Sequence, residues 1–205
     1  VIVLSIRAKQ SVRVLFLILL VYTGIHLLGS FSGVGALRDL MQGRADPLLF
    51  SVFNLFGVFA AAFLVHALYT LEYISPRKRF GLALGFLIGA FALLPTYGYG
   101  SFRAVYRPRR GLKAISAGLA VLAAGLIGYG LLFGSPATYF ETFATDSFTH
   151  IMTIDFLALY VLSVLLARFA SGRWWWVALL PVAGFSLSLL LSLVARTREK
   201  NQEGT

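Results

Sequence analysis

The chain has no cysteine, which removes the disulfide-stapled scaffolds that small secreted domains depend on. Only 13% of its 205 residues are charged, against about a quarter in ordinary soluble domains. Acidic residues are scarcer still, eight against eighteen Lys and Arg. A disordered tail is excluded too, because 59% of the residues are hydrophobic and disorder needs the opposite composition. H-E-x-x-H, G-x-S-x-G and a Walker loop are all missing, so no metalloprotease, serine-hydrolase or phosphate-loop chemistry can be read here. No nucleophile–base pair stands out, and the expectation is a protein that is not an enzyme.

What is present is apolar side chain, more than a 205-residue globule can hide from water. Lipid must take the place of solvent. The net charge of +10 is not a nucleic-acid signal, since the basic residues sit in short clusters between apolar runs, as where a membrane protein meets water. No nucleic-acid partner is expected. Six stretches approach the roughly 20 apolar residues of a spanning helix: 14–31, 47–69, 80–97, 112–133, 148–168 and 174–195. Asp46 is placed to cap the second, with Pro47 in its first turn. Trp174, Trp175 and Trp176 open the sixth as an interfacial belt. The expected architecture is an all-α integral membrane protein, one transmembrane domain over 1–205 built as a six-helix bundle. Residues 1–10 read either as the stub of a removed targeting segment or as a polar lead-in. Six crossings divide the basic residues equally between the two faces, so charge gives no orientation.

The two halves echo each other. Leu28-Gly29-Ser30 returns as Phe133-Gly134-Ser135, Ala45-Asp46 as Thr145-Asp146, and Phe53-Asn54-Leu55 as Ile154-Asp155-Phe156. With three helices per half, such a repeat would be inverted; the alternative is chance likeness of apolar runs. Gly81, Gly85 and Gly89 place a small residue at every fourth position of the third helix, which predicts a close helix–helix contact. Asp155 lies well inside the fifth helix, where an ionised carboxylate costs about 2.5–3.5 kcal/mol by insertion scales. Asn54, at the matching position of the second, is its expected polar partner. The pair reads as an interhelical clasp or as a proton or cation relay. His66 and His150 fall at similar predicted depth, with His26 on the opposite side. Each of the two is a candidate axial ligand for a chlorophyll or haem metal, the alternative being an interfacial hydrogen bond.

Several stretches carry a resemblance to a known family. Asp46-Pro47-Leu48-Leu49-Phe50, Asn54-Leu55-Phe56-Gly57-Val58, Gly89-Ala90-Phe91-Ala92-Leu93-Leu94-Pro95, Gly125-Leu126-Ile127-Gly128-Tyr129-Gly130 and the run from Ser147 to Phe156 are of this kind. Over residues 45–195 the chain resembles a poorly characterised family of thylakoid-associated membrane proteins of cyanobacteria and plastids. The resemblance implies a thylakoid location and photosystem or light-harvesting subunits as partners beside membrane lipid. It carries over no active residues. The leading expectation is a non-catalytic subunit or antenna-docking partner of a photosynthetic complex, holding chlorophyll or carotenoid. The rival is a small secondary transporter or ion-translocating protein using Asn54 and Asp155. A haem-bearing electron carrier through His66 and His150 is the third.

Overall fold

The computed structural model describes residues 2–3, 6–29, 32–70, 74–99, 103–104, 110–170 and 172–202. Two short strands, β1 (Ile2–Val3) and β2 (Arg103–Ala104), pair antiparallel. In chain order the helices are α1 (Ile6–Gly29), α2 (Gly35–Met41), α3 (Pro47–Thr70), α4 (Pro76–Ile88), α5 (Ala90–Gly98), α6 (Arg110–Phe133), α7 (Pro136–Thr145), α8 (Ser147–Ala170) and α9 (Ala183–Gln202). A 3-10 segment, Gly172–Leu179, lies between the last two.

Helices α1, α3, α6 and α8 have 24 residues each, about 36 Å of axis against a hydrocarbon layer of roughly 30 Å. All four are long and apolar enough to cross a membrane, the make-up of an integral membrane protein. Their outer faces carry exposed apolar side chains, among them Ile18, Val21 and Ile25 on α1 and Val121, Leu131 and Leu132 on α6.

The third and sixth expected spans are not single crossings. Helix α4 has 13 residues and α5 has nine, about 20 and 14 Å, too short to cross alone. They meet at Gly89 and fold back on each other. A Cβ added to Gly85 would sit 2.8 Å from Leu93, and one on Gly81 would overlap Thr96 Oγ1. One unbroken helix would hold positions 81 and 96 about 22 Å apart. Gly89 makes the bend because its backbone (φ 53°, ψ −126°) suits glycine and strains other residues. The glycine stripe therefore packs one arm of a hairpin on the other. The last stretch behaves alike. The 3-10 segment runs back along α8 until Leu179 O accepts from Tyr160 Oη, 2.7 Å. After Val182, at φ 57°, α9 sets off with Phe185 against Phe63 and His66.

A chain that doubles back twice meets the membrane faces in a different order. Helices α3 and α8 run parallel, with Phe53 beside Phe148 (ring centroids 6.3 Å) and Phe56 beside Phe156 (5.7 Å). Both start at one end of the bundle, where Ala36, Leu49, Tyr139 and Met152 form a small cluster. The halves are thus a direct repeat, not an inverted one: a spanning helix, a short helix, a second spanning helix, a hairpin. Ala8, Val12 and Leu19 are buried on α1, as Leu112, Ser116 and Ala123 are at the same spacing on α6.

Two aspartates tie the halves together. Asp46 caps its own helix, accepting from Leu48 N at 2.8 Å, and its other oxygen takes Ser135 N, ahead of α7, at 3.0 Å. Asp146 caps α8 through Thr149 N at 2.9 Å and takes Ala36 N, in the first turn of α2, at 3.1 Å. Each carboxylate thereby holds the short helix of the opposite half.

This topology also sorts the charges. Lys9, Arg13, Arg77, Lys78, Arg79, Lys113 and Arg168 lie at the end opposite these aspartates, which we call the basic face. Helical or strand positions 7, 103, 110, 173, 196, 198 and 200, all Arg or Lys, belong to elements that begin or finish there. Arg38 and Arg44 stand at the aspartate face; Arg107 and Arg109 lie outside the described residues. The equal division expected from six crossings is replaced by a strong bias. Burial first, then the nearby Lys9 charge, hold the Lys78 ammonium below its usual range.

Replacing Gly89 by Ala tests the hairpin. The backbone there costs a non-glycine residue about 1–3 kcal/mol, and the new Cβ would overlap Asp155 Oδ2. We expect Gly89→Ala to destabilise the protein by at least ~2 kcal/mol in a reversible SDS titration; a wild-type midpoint would contradict the hairpin apex.

Candidate functional site

The hairpin apex ends on Asp155. This ninth residue of α8 is 6% exposed and lies about 12 Å along the helix from its start. Its Oδ1 accepts the Ala90 N–H at 2.8 Å, one of the donors that the first turn of a helix leaves without an intrahelical partner. The positive end of the α5 dipole points the same way. Oδ2 lies against Gly89 and has no hydrogen-bond partner among the described residues. Direct repetition puts Leu55 at the corresponding place in α3, so the two halves share a frame but not this carboxyl.

Asp155 contributes to the wall of an open cavity of about 580 Å³. Its other walls are largely apolar, from Phe53, Phe56, Phe148, Ile151 and Met152, with Ser147 and Asn54 as further polar members. Leu27, Phe86 and Leu87, the last 80% exposed, also line it, so its mouth is on the side of the bundle that faces lipid. Asn54 and Asp155 share this cavity without bonding each other. Asn54 Nδ2 donates instead to Phe50 O of its own helix, 2.8 Å, and the bond to Asp155 comes from backbone. Sequence reading found the carboxyl and missed its donor. The available signal was the short apolar stretch interrupted by Gly89 and Pro95, a pattern that in transporters marks a broken helix at a binding site.

The histidines are redistributed. His66, twentieth in α3, stands near the basic face, whereas His150, fourth in α8, stands at the aspartate face. The similar depth expected of them is corrected by the reversed course of α8, and one haem cannot bridge them. His26, expected on the far side, instead stacks on His150 at 4.2 Å, with Phe143 on the other ring face at 4.3 Å. His150 Nε2 accepts from Tyr22 Oη at 2.6 Å while Nδ1 donates to Phe143 O at 3.1 Å. His26 Nε2 and Ser147 Oγ are 3.2 Å apart, which knits α1 to the start of α8.

Neither candidate ligand fits a pigment metal. Both nitrogens of His150 are engaged and both ring faces covered. His66 is 3% exposed, with Tyr97 and Phe185 packed on its ring. Its Nδ1 lies 3.3 Å from Tyr97 Oη, which donates to Phe63 O, so Nδ1 carries the proton. No room is left beside it for a macrocycle. Among the described residues no three His, Cys, Asp or Glu side chains gather as a metal site. No protein-family model matches the chain, and no curated protein or solved structure matches it.

Proposed function

We propose that this chain is a small secondary transporter or ion-translocating protein, with Asp155 at the hairpin apex as its working group. The observation that carries the reading is the junction of an interrupted helix, where the first-turn N–H of Ala90 is taken by a buried carboxyl at the edge of an open cavity. Transporter sites are commonly built this way, from broken helices near mid-membrane between repeated halves. The Ala90–Asp155 bond holds the apex closed. A solute or proton that takes Oδ2 draws charge away from Oδ1, weakens that bond and frees the hairpin to move against α8.

Asp155→Asn keeps an acceptor for Ala90 and removes the ionisable group. In proteoliposomes screened with protons, alkali cations and small amines, we expect the substitution to lower flux at least tenfold with helix content unchanged. Equal flux in both proteins would overturn the reading.

A second reading, an accessory subunit of a photosynthetic complex in the thylakoid, rests on the family resemblance. The unpartnered apolar faces of α1 and α6 favour it, since they offer width for docking as well as for lipid. Co-migration with photosystem or antenna proteins in mild detergent supports it; migration alone removes it.

A further inference from the structure

We infer that the Asp155 cavity takes a lipophilic amine from the bilayer, its apolar body among the phenylalanines and its ammonium on Asp155 Oδ2. The inference names the substrate class of the site proposed above and rests on that reading for the site's importance, though not for its geometry. Three observations carry it. The mouth opens among side chains that face lipid, so the entrant must first dissolve there. Among the described residues the walls offer Asp155 no Lys, Arg or His, and a carboxylate in an apolar cavity calls for a positive partner. Oδ1 is already engaged by Ala90, while Oδ2, in a residue only 6% exposed, is without a hydrogen bond among the described residues. A volume of about 580 Å³ falls within the range of small-molecule sites, roughly 300–1,000 Å³, and accommodates a medium alkyl chain.

The carboxyl decides the chemistry of the head group. An ammonium donates and brings the missing charge. An alcohol donates without charge and should bind more weakly. A fatty acid brings a second negative charge and should be rejected.

The test uses the full chain in lipid nanodiscs and dodecylamine carrying a photoactivatable diazirine, with the crosslinked peptide identified by mass spectrometry. Labelling should fall on residues of the cavity wall such as Phe53 or Met152. Excess dodecylamine should compete it away, dodecanol at least tenfold less effectively, and dodecanoate not at all. Asp155→Asn should reduce labelling at least tenfold. Gly57 lines the cavity with open space at its Cβ position, so Gly57→Leu fills the site without disturbing the packing and should also abolish labelling. Competition by dodecanoate equal to that by dodecylamine overturns the inference, as does undiminished labelling in both variants. Competed labelling without flux in liposomes sinks the transport reading and leaves this one standing. Flux of a soluble ion through Asp155 without competed labelling does the reverse.

Discussion

Cysteines placed singly at Ser75 and at Tyr99 will react with a membrane-impermeant maleimide from the same face of the membrane. The chain has no cysteine of its own, so each signal is unambiguous. Ser75 precedes α4 and Tyr99 follows α5. A hairpin returns the chain to the face it left, whereas one spanning helix over 80–97 would put the two sites on opposite faces. The end of α5 is anchored to the start of α1, where Arg13 Nε donates to Gly98 O at 2.9 Å and the Arg13 guanidinium lies 4.8 Å from the centre of the Tyr99 ring. The shared face is the basic one, and the positive-inside rule assigns it to the cytoplasm or its equivalent. A cysteine at Arg44, on the aspartate face, should therefore react only from the other side. The expected contrast is nearly all-or-none. Labelling of Ser75→Cys and Tyr99→Cys from opposite faces would dismantle the topology.

Asp146→Ala should cost about 2.5–4 kcal/mol. The substitution removes a helix cap, worth about 1 kcal/mol, and a charged acceptor whose loss leaves a buried donor unpaired, about 1.5–3 kcal/mol. The donors affected are Thr149 N, the Thr149 hydroxyl and the buried Ala36 N. Asp46→Ala removes the same two kinds of bond, to Leu48 N and Ser135 N, at a site with more solvent access, so its cost should be smaller. Equilibrium unfolding in SDS would rank them. A loss below 1 kcal/mol for Asp146→Ala would show that the cross-connection to α2 contributes little. The Asn variants, which keep one carbonyl acceptor, should lie between.

The features legible in the sequence depend on local composition. The four crossings follow from length and apolarity, and the capping of α3 by Asp46 followed from Asp-Pro before an apolar run. The hairpin was not legible because residues 80–97 meet the length rule as well as a true crossing does. What separates the two is the backbone at Gly89; the glycine and Pro95 mark a break in the stretch, but the same residues suit a closely packed, kinked crossing. One extra crossing then reversed every later assignment. It put His26 and His150 on opposite faces, turned a direct repeat into an inverted one and cancelled a strong charge bias into a tie. Asp155 was visible because a carboxyl in an apolar helix is costly wherever it sits. Its partner was not, since an amide N–H belongs to every residue but proline and only the fold decides which one is free.

The same-sense arrangement of the halves bears on how the chain enters a membrane. Both halves begin on one face and return to it, so the arginines and lysines of each promote insertion in the same direction. Oppositely oriented halves would set those preferences against each other. Each half therefore enters the membrane by the same charge rule, with its basic ends kept on one side.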